Sequence, residues 1–376
     1  MNVFVYTTIL VLVLFYIGRK PLDKNTTIET ELTKVRDTSF LFFFLGTLLL
    51  AYVSGQRFEF GDTVAYLDYF NKAMPIDECI SSFSIGNEWL FQFYMSFIHT
   101  YISTDPRVFL EITSFITIFP LMYFLYNYSG DMKFAFYLFV MAGCWDHSLN
   151  GMRQYLATAL IVAAFPLLAK RKWYLFLPIV FIVAQIHTSA YIFFILYLIS
   201  NTEACGKVTK AILIIGVFIV ITSPLTGNII DGFISDTVYG DKYSGNEWSN
   251  SINIFRILVS AVPIVLAFIN KEVMKDKYKY YNTVFNMALF YTIFTMAGVF
   301  SAVYARFNLY FEVFSVLLLV WNINEMVKIS KYSWIKNTAC ICYVLYFIYQ
   351  MVFTYKLNWH ENYLFFCNSW SDTSWI

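Results

Sequence analysis

The sequence predicts an all-α, polytopic membrane protein of about 12 transmembrane helices, and three observations carry that prediction. Of 376 residues, 59% are hydrophobic and 21% aromatic. Only 14% are charged and mean hydropathy is +0.59, more apolar side chain than one soluble core can hide. The apolar residues also come in continuous helix-length runs, not in the period-two alternation of a membrane barrel. Net charge is +1 and no basic block stands out, so nothing points to a nucleic-acid partner.

Runs long enough to cross roughly 30 Å of hydrocarbon are Asn2–Ile17, Ser39–Ser54, Glu88–Ile102, Arg107–Tyr128, Lys133–Leu149, Met152–Ala169 and Trp173–Ser200. Lys210–Thr226, Ser251–Asn270, Tyr281–Val303, Ala305–Met326 and Trp334–Tyr355 follow, so residues 1–376 read as one integral membrane domain. The first run has no cationic leader and no small-residue cleavage site, and reads as a retained span. Lysine and arginine then sort the connections. Gly18–Thr38, Lys170–Lys172, Asn201–Lys210, Lys271–Lys279 and Lys328–Lys336 are rich in them and are placed in the cytoplasm. Residues 55–87, Asp146–Gly151, residues 227–250 and the tail after Lys356 are poor or acidic and are placed outside.

Two consequences follow from parity. Trp173–Ser200 has basic flanks at both ends, so it must be two helices meeting at Gln185-Ile186-His187-Thr188. Three runs also separate the exterior stretches 55–87 and 146–151, so one of them must fail to cross. Glu88–Ile102, which carries Glu88, Gln92 and His99, is the re-entrant candidate, since irregular backbone at membrane depth is tolerated inside protein. No internal repeat is visible, which gives an inverted-repeat transporter no support.

The rare charges carry the chemistry. Arg153, His187 and Arg306 each open an apolar run at the end assigned to the exterior. Helix N-termini expose N–H groups and a partial positive charge, so cationic side chains there suit a polyanion such as a lipid diphosphate. Asp62 follows Gly61, which permits a tight turn near the membrane surface, and Tyr66 lies on its face if the segment is helical. Each residue has a second reading. Asp62 could cap a helix, Arg153 could snorkel to headgroups, and His187 could be a hydrogen-bonded structural histidine. Arg306 faces a site more readily, because Tyr310 lies one turn below it. His147 beside Asp146 reads as a structural pair, and Glu312 has no visible partner. Tyr243 and Trp248 in the 227–250 loop could stack on sugar rings or belong to the interfacial aromatic belt.

The order of these motifs resembles a known family. An exterior Gly61-Asp62-Thr63 loop with Tyr66, a span opening Met152-Arg153-Gln154-Tyr155-Leu156-Ala157, the Gln185-Ile186-His187-Thr188-Ser189-Ala190 break and Arg306 followed by Tyr310 look like the EpsG family of exopolysaccharide proteins. That family is akin to Wzy-type O-antigen and capsule polymerases. Its first loop commonly reads Gly-x-Asp, whereas here Gly61 directly precedes Asp62.

The resemblance implies a GT-C-like multi-pass glycosyltransferase of the bacterial cytoplasmic (inner) membrane. It would join undecaprenyl-diphosphate-linked oligosaccharide repeat units at the outer face, with membrane lipid and a chain-length regulator protein among its partners. Asp62 and His187 are then the catalytic candidates, with Asp62 accepting the attacking hydroxyl's proton. Arg153, Arg306 and His187 hold the diphosphate. Arg57, Tyr66, Gln154, Tyr310, Tyr243 and Trp248 are the sugar-binding candidates. With these cations to neutralise phosphate the scheme requires no metal and no cofactor is expected, although Asp62 could bind a metal. A ligase would share the whole phosphate site, and a flippase for the same lipid-linked glycan is the remaining alternative.

Overall fold

A computed structural model describes residues 2–20, 36–85, 87–218, 221–222, 254–298, 302–354 and 356, and no strand occurs among them. Tyr243 and Trp248 lie outside the described residues. Two of the described helices, Pro106–Tyr128 and Ile335–Thr354, are long and apolar enough to cross a membrane. Two bent pairs raise the number to four if each is one span: Ile254–Ile269 with Lys271–Lys277 (81°) and Tyr304–Tyr310 with Glu312–Val327 (57°). Shorter apolar helices accompany them. The protein is therefore a helical membrane protein.

The chain forms two compact units, Met1–Leu196 with Lys331–Ile376, and Tyr197–Ser330. In the first, α1 (Asn2–Ile17) and α2 (Phe40–Gly55) are followed by the short α3 (Thr63–Asn71) and α4 (Ile76–Ser81), then α5 (Trp89–Tyr101) and α6 (Pro106–Tyr128). Next come α7 (Met132–Met141), α8 (Cys144–Leu149), α9 (Met152–Ala163), α10 (Phe165–Ala169), α11 (Trp173–Ala184) and the first part of α12 (Ile192–Ser200), within which the second unit begins at Tyr197. Local chemistry sets several starts. Asp105 caps α6 by accepting from the Arg107 amide at 2.9 Å, with Pro106 at the first helical position, where a missing N–H costs nothing. Asp131 caps α7 through the Phe134 amide.

Apolar helix surface is buried by aromatic packing. Phe4 meets Trp145 edge-on at 4.8 Å, and Phe43 stacks on Tyr126 at 4.1 Å. The buried Trp145 indole satisfies its one donor on Ser54 Oγ at 2.8 Å. A second cluster, with Phe58, Leu67, Phe70, Phe91, Phe109 and Met152, ties α3, α5, α6 and α9 together. The late helix Ile335–Tyr349 returns to this unit, where Lys336 bonds Asp131 and the Tyr137 hydroxyl donates to the Cys340 carbonyl.

The break predicted inside Trp173–Ser200 is present. Between α11 and α12 the chain turns through Gln185–His187 into a 3₁₀ turn, Thr188–Tyr191. Ring contacts of Phe181 with Tyr191 and Phe176 with Phe193 show that it folds back on itself. The run Glu88–Ile102 is the 13-residue α5.

The second unit packs Ile254–Ile269, Tyr281–Ala297 and Glu312–Val327. Thr292 donates to the Ser260 carbonyl at 2.7 Å, and Tyr278 stacks on Trp321 at 4.4 Å. Here the sequence-based picture of Arg306 needs correction. It does not open the long helix, which begins at Glu312, but stands exposed in the last turn of the short helix Ala302–Phe307. The 3₁₀ turn Asn308–Tyr310 and the bend separate the two. At a helix C-terminus the dipole favours a cation. Glu312, which had no visible partner in sequence, lies 3.9 Å from the Arg256 guanidinium in the buried face of this unit.

Candidate functional site

Three chain reversals in the first unit deliver three titratable residues to one place. Gly151 adopts φ +91 ahead of α9, which a residue with a Cβ rarely does, and so starts that helix with Arg153 in its first turn. The α11–α12 break delivers His187 and the Thr188 amide. The third residue is Glu88, at φ +51 immediately before α5. The Leu90 amide donates to the Gln185 carbonyl at 3.0 Å, which fixes the start of α5 against the break.

Glu88 is the hub. Arg153 Nη1 bonds Glu88 Oε2. Glu88 Oε1 meets His187 Nδ1 at 2.7 Å and accepts from the Thr188 amide at 3.0 Å and its hydroxyl at 3.3 Å. Burial alone would raise this carboxyl, but the His187 hydrogen bond, the Arg153 charge and the Thr188 amide outweigh it and hold the pKa at about 2. An ionised carboxylate only accepts, so Nδ1 of His187 must carry the proton of that bond. The exchangeable nitrogen is then Nε2, as in carboxylate–histidine pairs where the acid fixes the tautomer.

Arg153 is steadied further. Its Nε donates to the Tyr66 oxygen at 3.0 Å, and the guanidinium carbon lies 5.7 Å from the centres of both the Tyr66 and Phe91 rings. Burial raises the Tyr66 phenol to about 12, with Asp62 adding and Arg153 opposing, so it stays a neutral phenol near pH 7. Arg153 and Glu88 border a cleft of about 260 Å³ whose wall includes Tyr69, Phe91, Gln92 and Lys72.

The sequence candidates divide accordingly. Tyr66, Arg153 and His187 are brought together through Glu88. Gly61, at φ +62, lies so close to the Asn150 side chain that an added Cβ would meet it at 2.7 Å; this docks the Asp62 loop on the start of α9. Asp62 occupies the position before α3 without a side-chain capping bond, which removes the simple capping explanation. Its charge acts on both Arg57 and Tyr66.

Arg57 is buried and plays a different part from the sugar contact expected of it. It donates to the Ser54 carbonyl at 2.7 Å, Ser114 Oγ at 2.8 Å and Thr63 Oγ1 at 3.2 Å, and so fastens the loop after α2 to α3 and α6. Burial lowers its pKa to about 10, with Asp62 and Tyr66 working against that, and it remains a cation at neutral pH. Gln154 is likewise buried, beside Arg153 in α9. Arg306 and the fully buried Tyr310 belong to the second unit.

Sequence reasoning placed Glu88 in the re-entrant run without a role at the site, and passed over Lys72. The available signal was a lone carboxylate at the head of an apolar run, the mirror image of the argument used for Arg153.

A model of the EpsG family matches residues 40–366. No curated protein and no solved structure matches the chain. The matched stretch contains α2 through Ile335–Tyr349, the Asp62 loop, and Glu88, Arg153 and His187 with the turns that present them. By that match, a helical membrane protein with this charged cluster belongs to the EpsG family, which is associated with exopolysaccharide biosynthesis.

Proposed function

We propose that the protein is a polysaccharide polymerase: a GT-C-type glycosyltransferase, with about 12 spans, at the outer face of the bacterial cytoplasmic membrane. Its donor and acceptor are undecaprenyl-diphosphate-linked oligosaccharide repeat units. The observation that carries the reading is the Arg153–Glu88–His187 constellation, of which Arg153 and Glu88 line a cleft, in a chain of this family.

In the proposed reaction a hydroxyl at the nonreducing end of one repeat unit attacks the anomeric carbon of the growing chain's first sugar. The new C–O bond forms as the bond to the lipid diphosphate breaks, and the diphosphate leaves with the electron pair. Arg153 stabilises the charge growing on that leaving group, with Lys72 at the cleft wall as a further cation. The hydroxyl's proton goes to His187 Nε2. We assign this to His187 ahead of Asp62 because Glu88 orients the imidazole and fixes its tautomer. Glu88 itself, held at about 2 by Arg153, His187 and Thr188, is far too weak a base for the task. Asp62 is retained as a hydrogen-bond acceptor for the incoming sugar.

The test is deletion of the gene and gel analysis of surface glycan. Expected is loss of polymer with a single repeat unit still attached to its carrier or acceptor. Loss of all attached glycan would indicate a ligase, and accumulation of repeat units on the cytoplasmic side a flippase.

A second expectation separates charge from shape at Arg153. Its guanidinium reaches Tyr66 with one nitrogen and Glu88 with another, which an ammonium on a lysine stem cannot reproduce. Arg153→Lys is therefore expected to slow polymerisation by about tenfold or more while insertion is normal. Wild-type polymer from that variant would mean that a point charge at the membrane surface suffices.

A further inference from the structure

At the end of the first unit away from Glu88, a second and larger cleft of about 620 Å³ opens between the exit of α1, the start of α7 and the late helix Ile335–Tyr349. Arg19, Lys20, Lys133 and Lys336 line it, against Asp37 and Asp131. These residues come from three distant stretches of sequence, so their convergence is a property of the fold and not of one basic loop. The glycosyl-transfer reading uses none of them.

The cleft is organised. Lys336 bonds Asp131 and lies over the Phe134 ring at 4.6 Å, and Lys133 lies over the Tyr16 ring at 5.2 Å. Asp37 is turned inward, accepting from the Met132 amide at 3.0 Å and the Thr38 hydroxyl at 3.2 Å, which spends its charge on the backbone at the start of α7. Arg19 and Lys20 stand exposed at the rim, and their backbone is fixed by the Arg19–Thr38 bridge and by the Lys20 amide on the Asp37 carbonyl at 2.7 Å. Phe134, Tyr137 and Cys340 supply an apolar wall. Among the described residues, four cations against two acids, beside apolar wall and at the side the lysine and arginine count assigns to the cytoplasm, fit a phosphodiester carrying acyl chains.

We propose that this cleft binds the headgroup phosphate of an anionic glycerophospholipid of the cytoplasmic leaflet. Arg19 and Lys20 contact the phosphate from the rim, and Lys336 and Lys133 supply charge from the wall. The site is independent of the reading given to the Glu88 cluster.

The experiment uses the full-length protein purified in neutral detergent, with native mass spectrometry of lipid retained from equal mixtures of phosphatidylglycerol and phosphatidylcholine. Phosphatidylglycerol is expected to be retained selectively. Arg19→Gln with Lys20→Gln, both exposed side chains, should weaken that retention by about 30-fold, from roughly a fivefold loss per cation. Lys170→Gln with Lys172→Gln, an equal loss of charge elsewhere on the basic side, should leave it unchanged. Equal retention of the two lipids, or an equal loss in both double variants, would overturn the proposal. Glycerol 3-phosphate displacing the lipid at comparable concentration would overturn the lipid assignment in favour of a soluble phosphate.

Discussion

Glu88→Gln is expected to reduce polymerisation by purified protein on lipid-linked repeat units by at least about a hundredfold, with substrate binding reduced far less. The amide keeps the size of the side chain but loses the charge that Arg153 and His187 share. It also offers N–H groups where both neighbours need an acceptor. The Arg153 charge then faces a neutral group, and the imidazole is no longer held with its proton on Nδ1. Glu88→Asp, which keeps the charge on a shorter stem, is expected to recover part of the rate.

The same substitution reaches stability. A carboxyl depressed from 4.5 to about 2 reflects roughly 3 kcal/mol in favour of the ionised form in the fold. Because the folded value lies below the unfolded one, that contribution is complete above about pH 4.5 and is lost as pH falls towards 2. Thermal melts of the wild type and Glu88→Gln should therefore differ most near neutral pH and converge in acid. A variant that melts like the wild type at neutral pH and polymerises normally would remove Glu88 from the mechanism.

The second large effect belongs to the base. His187→Gln is expected to lower turnover by a factor of about 100 to 10,000, the range that a positioned general base supplies, while the lipid-linked donor still binds. Asp62→Asn should lose less, because an amide can keep a hydrogen bond to the sugar. Turnover and binding of the two variants, measured side by side, decide between them. A dead Asp62→Asn protein beside an active His187→Gln protein would return the base to Asp62 and leave the histidine a phosphate contact.

What could be read in advance was whatever leaves a local trace. Composition and run length show a helical membrane protein, and the basic flanks of Trp173–Ser200 require the reversal that the structure has at Gln185–His187. Gly61 before Asp62 marks a positive-φ turn, and Arg153 sits in a first helical turn. Glu88 stands out in sequence only as a lone carboxylate at the head of an apolar run; its partners lie 65 and 99 residues away, and no local periodicity encodes that separation. Arg306 was misplaced for a different reason. An apolar run reads as one helix although its backbone changes from α to 3₁₀ at Asn308 and bends by 57°, and hydropathy is blind to that change. Arg57 was taken for a ligand contact because an arginine in a polar loop resembles one. Only tertiary contacts with Ser54, Thr63 and Ser114 show it as a fastening.

The first unit is completed out of order: its residues run to Leu196 and resume at Lys331, where the late helix meets α7 through Lys336 and Tyr137. A ribosome adding about 5–20 residues per second needs roughly seven to thirty seconds to travel from the end of the first stretch to that helix. During this interval the nascent chain holds an inserted but unclosed bundle, and the surface of α7 that will receive Cys340 is covered by lipid or by the insertion machinery. Arrest of synthesis before Ile335 should therefore leave a membrane-embedded product open to quality-control proteases, even though Glu88, Arg153 and His187 have already been made.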